Sequence, residues 1–115
     1  MKTRTYPFDI GEYQGFVLYD ASHFHSAKEY IANPIAEELE QIADEFAFKL
    51  NKIPVGYNNL LLRADNQNVL VDAGIRRPIG ELFLGLEELN IDPGDINTIV
   101  ITHSDRDHIW GILDE

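Results

Sequence analysis

Thr102-His103-Ser104-Asp105-Arg106-Asp107-His108 packs two imidazoles and two carboxylates into the six positions from 103 to 108. Neutral imidazole nitrogen and carboxylate oxygen are the donors that suit zinc, iron or manganese. In an extended chain His103, Asp105 and Asp107 project to one side, with His108 next in line. A turn beginning at Asp107 would bring His108 round to a second metal beside the first. Without a cation, crowding Asp105 against Asp107 raises at least one carboxylate pKa by like-charge repulsion. A divalent ion removes that penalty.

The elements around this stretch read as a scaffold for it. Thr98 to Thr102 is an almost wholly apolar, β-branched run, the pattern of a strand buried on both faces. Loops just past the carboxyl end of such strands commonly carry ligands and catalytic groups in layered α/β structures. Upstream, Asn59 to Arg63 and Val69 to Asp72 are two strands separated by the polar cluster Asp65-Asn66-Gln67-Asn68, a hairpin signature. Asp72-Ala73-Gly74 ends the second strand, with Gly74 suited to a tight turn. Ile79, Leu82, Phe83, Leu86 and Leu89 mark an amphipathic helix, and Asp92-Pro93-Gly94-Asp95 a turn. Nearer the N-terminus, Gly15 to Tyr19 reads as a short strand, followed by a loop, Ala21 to Lys28, that carries His23 and His25. Asn33 and Pro34 then open a helix as N-cap and first helical residue. Ile35, Leu39, Ile42 and Phe46 form its apolar stripe, and it runs to about Lys49.

Composition bounds the function. At 115 residues, 44% apolar and 25% charged, the chain fits one soluble α/β domain over residues 1–115. Nine basic residues against 20 acidic ones leave a net charge of −11, which disfavours nucleic acid and anionic membrane surfaces as partners. Cysteine is absent, which removes thiolate nucleophiles and Cys-ligated zinc. No apolar run has the length of a signal peptide core or a membrane span. The expected setting is cytoplasmic.

Thr102-His103-Ser104-Asp105-Arg106-Asp107-His108-Ile109-Trp110-Gly111 resembles the signature loop of the metallo-β-lactamase superfamily, His-x-His-x-Asp-His. Asn59-Leu60-Leu61-Leu62 and Val69-Leu70-Val71-Asp72-Ala73-Gly74 resemble the family's early hairpin, and Leu82 to Ile101 its helix, acidic turn and buried strand. The resemblance covers roughly residues 57 to 113 and implies the N-terminal half of an αββα sandwich, a mixed sheet flanked by helices. It implies a hydrolase in which one or two divalent ions, zinc foremost with iron or manganese as alternatives, activate water against an ester, lactone, thioester, amide or phosphodiester bond of a small-molecule substrate. His103 and the residue at 105 would bind the first ion, Asp107 and His108 the second. Asp107 would also handle the water's proton, and Asp72 would orient a ligand histidine from behind.

Two departures qualify the match. The family's second histidine is Asp105 here, a harder oxygen donor. The family also draws a further histidine, a bridging carboxylate and a last histidine from later in a longer chain. The expectation is therefore an incomplete domain, inactive alone, that self-associates into a homo-oligomer or pairs with a complementary fragment. The competing function is a non-catalytic, degenerate binding module of the same fold. Asp105-x-Asp107 also fits the nucleophile and acid pair of haloacid-dehalogenase-like phosphatases, but that motif sits near a chain's start and needs no flanking histidines. A calcium loop lacks its acidic twelfth position. For the 103–108 stretch the bland reading is a solvated turn; for His23 and His25, surface histidines; for Asp72, a strand-end cap; for Trp110, a core or interface aromatic.

Overall fold

Alternation of apolar and polar residues builds a mixed five-stranded sheet in the order β1-β2-β3-β4-β5. The computed structural model describes residues 2–32 and 36–113. Its strands are β1 (Thr5–Ile10), β2 (Tyr13–His25), β3 (Ile53–Ala64), β4 (Gln67–Val71) and β5 (Thr98–Val100), and its helices α1 (Ala36–Glu45), α2 (Leu82–Glu88) and α3 (Arg106–Ile109). Pairing is antiparallel for β1 with β2 and for β3 with β4, and parallel for β4 with β5. The fold class is α/β, as expected. Strand β1 and the full length of β2 exceed the short strand that Gly15 to Tyr19 suggested. No helix among the described residues is long and apolar enough to cross a membrane.

The chain divides into two compact units, residues 1–21 with 57–115 and residues 22–56. In the first, Phe16 and Leu18 of β2, Leu61 of β3, Leu70 of β4, Leu82 and Leu86 of α2, and Ile91 form the core. Period-two alternation turns Phe16, Leu18 and Asp20 to the same face of β2, so a carboxylate enters the interior with the apolar set. The predicted hairpin forms with Ala64 opposite Gln67, which makes Asp65-Asn66 a two-residue turn. Both turn residues take positive φ, 49° and 62°, the left-handed geometry that matches the strands' twist. Helix α2 begins later than the apolar pattern suggested; Ile79 lies before it and is 67% exposed.

Strand β5 departs from its expected burial. It lies at the sheet edge beside β4, and Ile99, Val100 and Ile101 are 44%, 46% and 37% exposed. A strand with a neighbour on one side alone leaves its β-branched surface in contact with solvent.

In the second unit, Ser26 caps a short 3-10 turn, Ala27–Glu29, and the Ser26 N–H donates to Glu29 Oε1 at 3.3 Å. The Ala27 N–H reaches the Leu50 carbonyl at 2.7 Å. Helix α1 buries Ala43, while Ile42 and Phe46 of the expected stripe are exposed. This small unit holds little apolar surface to cover them. The expected start of the helix, Asn33 to Ile35, lies outside the described residues.

Candidate metal centre

The site stands on three pieces of the first unit: the end of β4, the turn after β5, and α3. Asp72 follows β4 with φ +64°, and the two residues after it continue the turn through Gly74 at φ +71°. The positive φ values swing the chain off the strand and leave the Asp72 carboxylate beside the turn after β5. There the Thr102 N–H donates to Asp72 Oδ1 at 2.8 Å, and the Thr102 hydroxyl sits 3.0 and 2.9 Å from its two oxygens. His108 Nδ1 lies 2.7 Å from Asp72 Oδ2. Burial pushes the Asp72 carboxyl up. The bonds from Thr102 and His108 outweigh it and hold the group below the ordinary aspartate range.

Helix α3 starts at Arg106, one residue before the turn expected to begin at Asp107. Asp105 is its N-cap, and the Asp105 carbonyl accepts the His108 N–H at 2.9 Å. Aspartate is favoured at this position because its side chain can cap the first turn. Here that side chain makes no capping bond and faces His103 Nε2 at 3.4 Å instead. Asp107, on the first turn, faces His108 Nε2 at 2.9 Å. The His103 and His108 rings lie 3.8 Å apart, centroid to centroid. The helix sets the predicted ligands in two pairs, His103 with Asp105 and His108 with Asp107, rather than spreading three along an extended face.

Proton accounting decides what this cluster fits. Asp72 is ionised and can only accept, so both His108 Nδ1 and the Thr102 hydroxyl donate to it. With its one proton committed, Thr102 Oγ1 accepts at 2.9 Å from His103 Nδ1. Nδ1 of each ring is thereby engaged, at Thr102 for His103 and at Asp72 for His108, and each Nε2 faces a carboxylate oxygen. An imidazole Nε2 this near a carboxylate oxygen is satisfied by a proton on that nitrogen, and a bound metal ion would take the proton's place. The donor set thus fits a divalent metal ion, with His103 and Asp105 on one side and Asp107 and His108 on the other. Among the described residues no three such side chains converge on one point.

His23 and His25 lie in the second unit, rings edge-on at 4.6 Å, with His25 Nδ1 2.5 Å from Glu29 Oε2. Three residues near the site were missed or undervalued from sequence. Thr102 connects Asp72 to His103; a threonine directly before a histidine carried that signal. Asn59, 4% exposed, buries an amide Nδ2 with no partner among the described residues. Asp20 is fully buried, and an aspartate inside the apolar run from Phe16 to Ala21 could have flagged it.

Comparison with known proteins agrees with this fold. Residues 53–114 match the family model of the metallo-beta-lactamase superfamily. Among solved structures, the hydrolase AbOPH of the beta lactamase superfamily superposes with a TM-score of 0.86 at 22% identity, covering 97% of this chain and 40% of that one. AidC, a dizinc quorum-quenching lactonase in complex with its product, gives 0.86 at 22% identity over 99% of this chain and 41% of its own. A probable metal-dependent hydrolase from Staphylococcus aureus gives 0.73 at 18% identity over 94% and 43%. The chain thus spans about 40% of the length of the solved structures it resembles. No curated protein matches it significantly. With the family model covering more than half of its residues and the whole described fold superposing on such enzymes, the chain belongs to the metallo-β-lactamase superfamily.

Proposed function

We propose that this chain carries the leading ligand set of a metal-dependent hydrolase acting on small molecules. The observation that supports the reading is the pair of imidazoles whose Nδ1 atoms are engaged by Thr102 and Asp72, which turns each Nε2 toward a carboxylate. His103, Asp105, Asp107 and His108 would hold the ion or ions, with zinc first and iron or manganese as alternatives given the oxygen donor at 105. When bound, such an ion polarises a carbonyl or phosphoryl oxygen and acidifies water. Asp107, beside His108 Nε2, would take that water's proton, as the family resemblance implies. Asp72 and Thr102 orient the two imidazoles. Esters, lactones, thioesters, amides and phosphodiesters are the bond types considered, and the structural likeness to a lactonase supports the ester-like members.

Metal analysis of the purified chain tests this. A transition metal that co-purifies or titrates in, and is lost when Asp107 and His108 become alanine, supports the reading. A folded wild-type chain that takes up no zinc, iron, manganese or cobalt would sink it. That result would favour the non-catalytic binding module, for which the specific observation is Asp105, 76% exposed at its side chain where the family carries histidine.

A further inference from the structure

Asp20 is fully buried on the inward face of β2, in line with Phe16 and Leu18. A carboxylate with no exposure persists only where hydrogen bonds replace water. Ile75 N–H donates to Asp20 Oδ2 at 2.7 Å, and Leu82 N–H donates to Oδ1 at 3.0 Å. The Glu81 N–H adds a third bond, at 2.8 Å, to the Asp20 main-chain carbonyl. Leu82 opens α2, so its N–H has no partner within the helix. One side chain therefore grips both ends of the loop from Ile75 to Leu82. The loop is pressed onto it: a Cβ at Gly74 would come within 2.7 Å of Oδ2, and one at Gly80 within 2.8 Å of Oδ1.

The two residues just before that loop, Ala73 and Gly74, seat α3. The Ala73 N–H donates to the His108 carbonyl at 2.8 Å, and the Gly111 N–H to the Gly74 carbonyl at 3.2 Å. A Cβ on Gly111 would meet the Ala73 carbonyl oxygen at 1.8 Å, so this contact is backbone on backbone and leaves no slack. Residues 72 to 75 thus carry, in sequence, the Asp72 carboxylate on His108, the Ala73 and Gly74 backbone under α3, and the Ile75 N–H in the grip of Asp20.

We propose that Asp20 is a positioning residue for the candidate metal centre, fixing through the 72–75 backbone where His108 sits relative to Asp72. This rests on the reading of the 103–108 cluster as a metal site. Ligands must be held within about half an ångström to bind productively. A loop released from Asp20 moves Asp72 and the seat of α3 together.

The test uses cobalt(II) alone, titrated into the full chain against a competing chelator, together with ¹⁵N-histidine NMR of the His108 Nδ1–H. Asp20→Asn keeps the shape but turns an amide NH₂ toward a main-chain N–H. We expect it to weaken cobalt binding by about 10- to 100-fold, the scale seen when groups behind metal ligands are removed, and to shift the His108 Nδ1–H signal. Leu61→Ala, which opens the same core but removes none of the Asp20 hydrogen bonds, should leave both readouts at wild-type values. Where Asp20→Asn does not fold, Gly80→Ala carries the test, because its Cβ would come within 2.0 Å of the Ile75 carbonyl oxygen and 2.8 Å of Asp20 Oδ1 and so force the loop off the carboxylate. Wild-type affinity and an unmoved His108 signal in a folded Asp20→Asn or Gly80→Ala chain would overturn the proposal. So would an equal loss in Leu61→Ala, which would make the effect one of stability alone. Failure of the wild type to bind cobalt at all would instead count against the metal reading; the His108 signal then still judges whether Asp20 sets the imidazole's place.

Discussion

Asp72 Oδ2 lies 2.7 Å from His108 Nδ1, although the two residues are 36 positions apart in the chain. One ends a hairpin strand and the other rides the first turn of α3. Their contact commits the His108 Nδ1 proton and so decides which nitrogen can meet a metal.

Replacing that acceptor should be felt at the metal. In Asp72→Asn the side chain loses its charge and one acceptor, and Thr102 and His108 compete for what remains. Zinc or cobalt affinity is expected to fall by about 10- to 100-fold, with the fold retained by circular dichroism. Unchanged affinity by chelator competition would return Asp72 to the role of a strand-end cap.

Hydrolysis by the 115-residue chain itself should be absent. His103, Asp105, Asp107 and His108 offer two donors to each of two ions, short of the three or four protein ligands that zinc sites use. Loosely held, largely hydrated ions acidify water little. Assays with lactone, thioester and phosphodiester substrates should show no turnover above the free-metal background. Activity that survives purification and disappears in Asp107→Ala would refute this.

Stability should carry a pH signature from Asp20. Burial raises its carboxyl above the ordinary aspartate value, against the opposing pull of the Ile75, Leu82 and Glu81 N–H groups. The folded chain then binds this proton more tightly than the unfolded chain does. Between about pH 4, the ordinary value, and the raised one, the contribution of Asp20 to stability falls as pH rises. Urea unfolding across that window should show this component in the wild type and lack it in Asp20→Asn. Parallel profiles for the two proteins would contradict it.

The sheet edge should be adhesive. Ile99 and Val100 leave a β-branched surface exposed on β5, and Ile112 and Leu113 are exposed at 51% and 63%. We expect concentration-dependent self-association in sedimentation velocity and binding of a hydrophobic dye, both reduced by Val100→Lys at the edge. A dye-silent monomer at all micromolar concentrations would count against an interaction face here.

The hairpin that ends at Asp72 can be tightened at its turn. Asn66 takes φ 62°, where glycine meets no steric cost. Asn66→Gly should stabilise the chain by a few tenths to about 1 kcal/mol, and Asn66→Val should destabilise it by ~1–2 kcal/mol, as left-handed geometry penalises branched residues. Thermal denaturation of the pair reads the difference.

Local chemistry made much of this protein legible from its residues. The Asp65-Asn66 turn between two apolar runs specifies the hairpin, because turn geometry and alternation are short-range properties. The imidazole and carboxylate spacing from 103 to 108 marks the candidate centre, because ligand type is carried by side-chain identity. The burial of Thr98 to Thr102 was misread for the same reason that its strand was legible. β-Branching favours extended backbone, but whether a strand is central or at an edge depends on what pairs beside it. The stripe through Ile42 and Phe46 failed likewise, since helical periodicity names a face without supplying anything to cover it. Long-range hydrogen bonding was decided by tertiary structure alone. That Asp20 reaches Ile75 and Leu82, across 55 and 62 residues, and that Asp72 orients His108 follow from how strands and loops meet in space. A buried carboxylate has no sequence signature beyond its place in an apolar run; its partners are main-chain N–H groups, which every residue but proline carries.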